Sequence, residues 1–392
     1  MSSNHFEFSH FKFDNKPCSC VIDRINVAPN TPPRESLKFF SSNGDLIHYA
    51  FSPGHGLVRS GIGGKIYEDD VLGKILALNC NDKKALVDFF SHYGFIFPTS
   101  SMEYTTIELS TLEAIIQRTK NTVLLMGSLA ESENEEQMLQ LILPLLYDDP
   151  VSTDHAFGTY STNESNFHKL ITNPRGYIAP AKVREMGRTG MMQKTLHFPN
   201  KPFAINSDMY HALISAEDSP EHFGISDTVF QGTLNLFFSE NNMLDKKTQE
   251  IVDFLFVFQY EVGILHQDMT GNIGFYGSPK FERFTKELRE ETRRIARYVI
   301  ADEINSNINR IRLQYDGSEL EPSWVVPDLL SALYFSIFYL EPGKEMYRRC
   351  ENPRCNHMKF FSVPITTKNK KYCCVACERA VAQRNYRKNH RN

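Results

Sequence analysis

The amino-acid sequence predicts an α+β protein that is mostly α-helical, with a β-containing N-terminal region, a helical middle and a small cysteine-rich C-terminal module. Apolar residues alternate with polar ones near the N-terminus, they recur at helical spacing further along, and five of the eight cysteines lie between positions 350 and 377. A chain of 392 residues is long enough for two or three domains. We place an N-terminal α+β region at 1–150, a mainly helical domain at 151–340 and the C-terminal module at 344–392.

The first region begins with a strand pattern and continues with a helical one. Four phenylalanines alternate with polar residues at Phe6, Phe8, Phe11 and Phe13. Alternation of this kind is typical of short strands. A C-x-C pair cannot wrap one ion alone, so we interpret Cys18 and Cys20 as ordinary strand residues. After a glycine-rich turn at 61–64 the apolar spacing becomes helical, which predicts two amphipathic helices between Val71 and Gly94.

The middle of the chain carries three helical patterns. Residues 251–265 are apolar on nearly every side, which predicts a buried helix. Between Phe281 and Val299 apolar residues recur at helical spacing through a highly charged segment, which predicts a long surface helix with one apolar stripe. Residues 329–340 predict a final core helix that leads into the cysteines. The polar stretch 148–205 is irregular, and we place the main domain boundary there.

Composition excludes two classes of protein. With 41% hydrophobic and 23% charged residues, the chain has the composition of a folded rather than a disordered protein. No stretch approaches the run of about 18 apolar residues that a membrane span needs, and the polar start lacks the apolar core of a signal peptide. We therefore expect a soluble cytoplasmic protein with no membrane partner.

The charge is distributed unevenly along the chain. Residues 344–392 contain 13 Lys and Arg against three acidic residues, a net charge of +10, which leaves −14 for the rest of a chain whose total is −4. A basic tail on an acidic body is typical of proteins that bind nucleic acid through an appendage. A solvated charged tail without a partner would show the same distribution.

Two tight pairs of cysteines dominate the C-terminal module. Cys350 and Cys355 form a C-x4-C pair, Cys373 and Cys377 form a C-x3-C pair, and 17 residues separate the pairs. Two such turns, brought together by the loop, can surround one ion with four thiolates at roughly 2.3 Å. Four thiolates leave no open coordination position, which predicts one structural Zn²⁺ ion in a small zinc finger of treble-clef or ribbon-like form.

Two alternatives remain open for the ligand set. Cys374 makes a C-x2-C spacing with Cys377 and therefore competes with Cys373. We favour Cys373 because it follows Tyr372 directly. His357 could also replace one of the sulfurs.

Four segments of this module carry a family resemblance: RCENPRC at 349–355, KFF at 359–361, YCCVAC at 372–377 and QRNYR at 383–387. They resemble the bacterial CGNR-type zinc finger, in which a C-x-N-P-x-C knuckle is followed by a Phe-Phe pair, an aromatic-Cys-Ser knuckle and an Arg-rich helix. The resemblance implies that the four paired cysteines are the ligands and makes Cys374 the counterpart of the family's Ser.

The resemblance covers roughly residues 347–391, and the helical segment at 329–334 also resembles the one that commonly precedes this finger. The N-terminal two-thirds of the chain resembles no family that we can name. The tetrapeptide that names the family is Cys-Glu-Arg-Ala at 377–380 here, and two extra residues precede Lys359. Members of the family are thought to be bacterial transcription regulators with a variable N-terminal sensing domain. The resemblance therefore implies DNA binding.

The segment after the second cysteine pair predicts a basic helix. Arg384, Arg387 and Arg391 are spaced i, i+3 and i+7, which aligns their guanidinium groups on one helix face. Arg and Gln side chains can bind phosphates and base edges. The candidate nucleic-acid-binding residues are Lys368, Lys370, Lys371, Arg379, Gln383, Arg384, Arg387, Lys388 and Arg391.

We expect a bacterial transcription regulator that binds nucleic acid, with double-stranded DNA as the first candidate. Its N-terminal body would sense a small-molecule effector, form a homodimer or recruit a protein partner. Two alternatives stay open: a zinc finger that docks a protein or RNA, as in a defence-associated protein, and an enzyme that the finger delivers to nucleic acid. The only oxygen-and-imidazole cluster is Asp148, Asp149, Asp154 and His155, which we interpret as a solvated loop, with a magnesium or nuclease site as the alternative. We predict no catalytic residue.

Overall fold

The structure is a computed structural model that describes residues 11–25, 34–52, 56–60, 70–100, 103–130, 135–172, 195–198, 201–204, 228–238, 244–268, 272–317, 321–340, 345–355, 360–364, 367 and 370–389. It has a mixed α/β architecture in which the sheets are small, with two or three strands each, whereas the longest helices have 22 and 23 residues. None of the described helices is long and apolar enough to cross a bilayer.

The chain forms two compact units. The first comprises Met1–Ala130, Val151–Asn163 and Glu303–Asn392, and the second comprises Glu131–Pro150 and Glu164–Asp302. This division differs from the predicted boundaries, because residues 151–163 and 303–340 group with the N-terminal region and so does the C-terminal module. Pairing and packing between segments that are distant in sequence cause the difference, and local composition does not report such contacts.

Two antiparallel three-stranded sheets belong to the first unit. One has the order β1-β4-β5 and comprises β1 (Lys12–Asn15), β4 (Ile47–Ser52) and β5 (Gly56–Ser60). The other has the order β2-β3-β6 and comprises β2 (Cys18–Ile25), β3 (Arg34–Ser41) and β6 (Thr105–Glu108). Every second residue of β3 from Leu37 onwards is buried, as expected for a strand with one face on the core.

The predicted strands near the N-terminus are confirmed where the structure describes them. Phe11 and Phe13 are buried, and Phe6 and Phe8 lie outside the described residues. Cys18 and Cys20 are buried strand residues of β2, and the Cys18 thiol donates to the Phe90 carbonyl oxygen at 3.1 Å. Neither belongs to a group of potential metal ligands among the described residues.

The two predicted helices after residue 70 are confirmed as α1 (Val71–Ala77) and α2 (Lys83–Tyr93). Each begins at an aspartate N-cap, where the carboxylate of Asp70 or Asp82 accepts a hydrogen bond from a backbone N–H of the first turn. The second ends at Gly94, whose φ of +72° is accessible to glycine at little cost. Helix α3 (Leu109–Ala130) follows β6 directly.

The rest of the first unit comes from the later chain. It contains the hairpins β7 (Ser152–His155) with β8 (Gly158–Ser161), β13 (Arg312–Asp316) with β14 (Glu321–Val325) and β15 (Glu345–Arg349) with β16 (Phe360–Pro364), and the helices α9 (Leu329–Tyr339) and α10 (Val375–Asn389). Strand β7 packs beside β6, and β14 packs beside β1. A buried ion pair joins Arg118 of α3 to Glu303.

The second unit is mainly helical. Its helices are α4 (Glu135–Tyr147), α5 (Asn166–Thr172), α6 (Thr228–Phe238), α7 (Lys246–Glu261) and the part of α8 (Lys286–Ile308) up to residue 302, and its hairpins are β9 (Thr195–Phe198) with β10 (Lys201–Ala204) and β11 (Leu265–Gln267) with β12 (Ile273–Phe275). Helix α7 is buried on nearly every side, as predicted, although it ends at Glu261. Phe237 stacks on Phe256 at 3.7 Å between ring centroids.

The same unit buries several carboxylates. Glu291 on α8 is 1% exposed, and neither of its carboxylate oxygens has a hydrogen-bond partner among the described residues. Burial raises the pKa of Glu291 to about 7; nearby Arg294 opposes this rise, while the charges of Glu250 and Asp253 add to it. Tyr298 donates to the Glu250 carboxylate at 2.6 Å. The predicted surface helix is therefore confirmed as a helix, but some of its charged residues face the core.

Candidate metal centre

The C-terminal module brings its two cysteine pairs together by means of a hairpin and a helix. Strand β15 ends immediately before Cys350, and the first pair lies in the turn that follows it. The second pair lies at the start of α10, which places Cys377 in the first turn of that helix. The Glu351 N–H donates to the Lys371 carbonyl oxygen at 2.9 Å and so joins the two turns.

The four sulfur atoms of Cys350, Cys355, Cys373 and Cys377 all lie within 4.8 Å of one another. Three of the separations are 3.6 Å for Cys355 to Cys373, 3.7 Å for Cys373 to Cys377 and 3.6 Å for Cys377 to Cys355. Tetrahedral coordination with metal–sulfur bonds of about 2.3 Å places its sulfurs about 3.8 Å apart. The four residues therefore form a group that could hold one metal ion, and they are its predicted ligands.

Backbone N–H groups favour the ionised form of the first cysteine. Burial alone would raise the pKa of the Cys350 thiol, but hydrogen bonds from the N–H groups of Cys373 and Asn352 lower that pKa below its ordinary value. Ionised thiolates are the form that binds metals. The first turn is closed by a hydrogen bond from the Cys355 N–H to the Asn352 carbonyl oxygen at 2.9 Å.

Asn352 connects the cysteine cluster to the basic helix. Its side chain is buried, and its Nδ2 donates to the Cys377 sulfur at 3.2 Å. Its Oδ1 accepts from the Arg354 N–H at 3.2 Å and from the Arg384 guanidinium. One amide thus contacts the first cysteine turn, a potential metal ligand and α10. The C-x-N-P-x-C pattern of the sequence contains this residue but does not indicate its contacts.

Cys374 lies beside the cluster. Its sulfur is 3.8 Å from that of Cys373, and it does not belong to the four-cysteine group. Hydrogen bonding from the Cys377 N–H lowers the pKa of Cys374, which is consistent with a position just before the first turn of α10. His357, the other alternative ligand, lies outside the described residues.

A small apolar cluster supports the cysteines. Phe361 and Val363 of β16 are buried with Cys350, Cys355 and Cys377, and Tyr372 packs against them. The module also packs on the rest of the first unit, where β15 lies against α3 and β16 lies against α1. Tyr347 of β15 donates from its hydroxyl to the N-cap carboxylate of Asp70 at 2.9 Å.

The predicted nucleic-acid-binding residues fall into three groups. Most are exposed: Lys370, Lys371, Arg379, Gln383, Arg387 and Lys388. Arg384 is partly buried on the side of α10 that faces Asn352, so it does not share an exposed face with Arg387 as its spacing suggested. Lys368 and Arg391 lie outside the described residues.

The residues of the predicted loop cluster around position 150 are divided between the two units. Asp148 and Asp149 belong to the second unit, whereas Asp154 and His155 belong to the first. Asp149 lies 3.3 Å from His168, and the His155 ring stacks on Phe97. Among the described residues, the four cysteines are the one group of three or more potential ligands close enough to share a metal.

Comparison with known proteins identifies no relative of this chain. No protein-family model, no curated protein and no solved structure matches the chain.

Proposed function

We propose that the four cysteines hold one structural Zn²⁺ ion and that the ion fixes a basic helix for binding nucleic acid. The observation that carries this proposal is the position of Cys377, which is at once a potential ligand and a first-turn residue of α10. A metal held there would set the direction of the helix relative to the hairpin.

The ligand chemistry favours zinc. Four thiolates form a soft donor set that suits Zn²⁺ and excludes hard cations such as Mg²⁺ and Ca²⁺, which prefer oxygen. A tetrahedral site filled by four protein ligands has no position for a substrate or a catalytic water. The role of the ion would therefore be to stabilise a module whose own apolar core is small.

The charge of the module favours nucleic acid as the partner. Its net charge of +10 contrasts with −14 for the remainder of the chain, and exposed basic residues occupy both α10 and the segment before it. Positive charge attracts phosphates independently of sequence. Together with the resemblance to the CGNR-type finger, this favours DNA binding in bacterial transcription regulation, with the remaining residues as a sensing or oligomerisation body.

A salt titration tests the proposal. Binding of a fluorescent DNA duplex would be measured by anisotropy at several salt concentrations, for the intact protein and for Arg379→Ala with Arg387→Ala. The slope of log affinity against log salt is negative, and its magnitude should decrease by about 2 in this variant, since each lost phosphate contact contributes roughly −0.9.

A matched control removes the same charge elsewhere. Arg34→Ala with Arg312→Ala replaces two exposed arginines outside the module and should leave the slope unchanged. Zinc without any nucleic-acid binding would instead support a finger that docks a protein.

A further inference from the structure

The outward face of α10 carries more than positive charge. Val375, Arg379, Ala382 and Tyr386 are spaced i, i+4, i+7 and i+11, so they share one helix face, and all four are exposed. Val375 is 59% exposed and Tyr386 is 63% exposed. The opposite face carries Cys377 and Arg384, which contact the cysteine cluster and Asn352. The contacts of Cys377 and Arg384 with Asn352 therefore determine which face of the helix points to solvent.

Tyr386 stands among basic and amide side chains on this face. Gln383 and Arg387 lie beside it and are exposed. In the described part of α10 the acidic side chain is Glu378, which lies in the first turn, two helical turns away from Tyr386. An exposed aromatic ring flanked by cations suits a ligand that is negatively charged and also presents flat aromatic groups.

Single-stranded nucleic acid has both properties. Its phosphates attract the arginines, and its unpaired bases are free to stack on an aromatic side chain. In a duplex the bases are already stacked on one another, so an exposed tyrosine ring has no base face to contact. A protein partner with acidic side chains would also match the cations, but unpaired bases offer the ring flat aromatic faces in addition to negative charge.

We propose that Tyr386 stacks on an unpaired base while Arg379 and Arg387 bind the flanking phosphates, so that the module prefers single-stranded to duplex nucleic acid. This inference rests on the proposed nucleic-acid binding, and it specifies that the nucleic acid is single-stranded. Single-stranded DNA and RNA share the stacking chemistry, and contact with the 2′-hydroxyl would distinguish them.

The test compares strands and side chains. Anisotropy titrations would use a 20-nucleotide single-stranded DNA, the RNA of the same sequence and the corresponding DNA duplex, with the intact zinc-loaded protein and with Tyr386→Ala and Tyr386→Phe. Tyr315→Ala is the matched control, because Tyr315 is 64% exposed and lies on β13, outside the module. Zinc content would be measured for every variant to show that the module is intact.

Loss of one stacked base should weaken single-strand binding about 5- to 150-fold in Tyr386→Ala. Tyr386→Phe and Tyr315→Ala should bind like the intact protein, and duplex binding should change less than about twofold. An intact protein that binds only the duplex, or a Tyr386→Ala variant that binds the single strand normally, would overturn this inference and leave the proposed function standing. An intact protein that binds none of the three nucleic acids would overturn both.

Discussion

The C-terminal module and the second compact unit hold their helices in different ways. In the module, four sulfurs lie close together, and among its described residues few apolar side chains are buried with them. In the second unit, α7 buries almost its whole surface, and stacked rings such as Phe237 and Phe256 fill the interior. Stability concentrated at one point should be lost all at once, whereas stability spread over a core should be lost in increments.

Replacing one cysteine should produce the largest difference in stability between the C-terminal module and the second unit. We expect Cys355→Ser to abolish metal binding and unfold the module, because structural zinc contributes on the order of 10 kcal/mol to the folding of such segments. Metal content by mass spectrometry and hydrogen exchange of 345–389 would measure the loss. Exchange in α7 should not change.

The adjacent cysteine provides the control for that experiment. Cys374→Ser alters a thiol that lies outside the four-cysteine group, so metal content should stay at one ion per chain. If Cys374→Ser lost the metal and Cys373→Ser kept it, the assignment of Cys373 as the ligand would be wrong.

Truncating a core ring should affect only the second unit. Phe256 is fully buried against Phe237, and Phe256→Ala should reduce the free energy of unfolding by about 3 to 5 kcal/mol through lost burial and the cavity that remains. Denaturant unfolding measures this change. Metal content should be unaffected, and a loss of metal in this variant would show that the two regions are not independent.

Asn352 tests whether the hydrogen-bonded surroundings of the cysteines matter as well as the sulfurs. Asn352→Ala removes the hydrogen bond to Cys377 and leaves Arg384 without its acceptor. We expect metal affinity to fall about 10- to 100-fold, as for other groups that orient a metal ligand. Competition with a chelator measures the affinity, and Asn385→Ala, an exposed asparagine on the same helix, should behave like the intact protein.

The smallest expected effect is a pH dependence of the stability of the second unit, which Glu291 should cause. Its pKa is about 7 when folded and about 4.3 in an unfolded chain. The folded state binds the Glu291 proton more tightly than the unfolded chain does. The protonated carboxyl therefore contributes stability that is complete below pH 4 and is lost as the pH rises to about 7. After allowance for solvent screening we expect roughly 1 to 2 kcal/mol.

Denaturant unfolding at pH 5 and pH 8 measures this effect. Glu291→Gln removes the titrating group and should flatten the pH dependence, whereas Glu290→Gln, its more exposed neighbour, should keep it. An unchanged pH dependence in Glu291→Gln would show that another group is responsible.

The sequence predicted local features better than their surroundings. The spacing of the four cysteines identified the potential ligands, and the change of apolar period at Val71 identified α1 and α2, because both signals are contained in short segments. The orientation of Arg384 could not be predicted in this way. Its inward position depends on Asn352, which lies 32 residues earlier and reaches the helix only after the cysteine turns have come together.

Burial of charge was the other feature that the sequence did not reveal. The segment containing Glu291 is so rich in charged residues that it indicates a solvent-facing helix, yet Glu291 and Glu303 are almost fully buried. Only the tertiary contacts decide which charges turn inward. Composition averages over both faces of a helix and therefore hides them.

The packing of the β15–β16 hairpin on α1 and α3 bears on whether the C-terminal module can fold outside this protein. Tyr347 is 5% exposed and binds the carboxylate that also caps α1. A peptide of 344–392 would carry all four cysteines but would leave this tyrosine without its acceptor and the outer side of β15 uncovered. We therefore expect the C-terminal module to depend on the rest of the first unit for its fold, and transferring it to another protein would require transferring α1 and α3 with it.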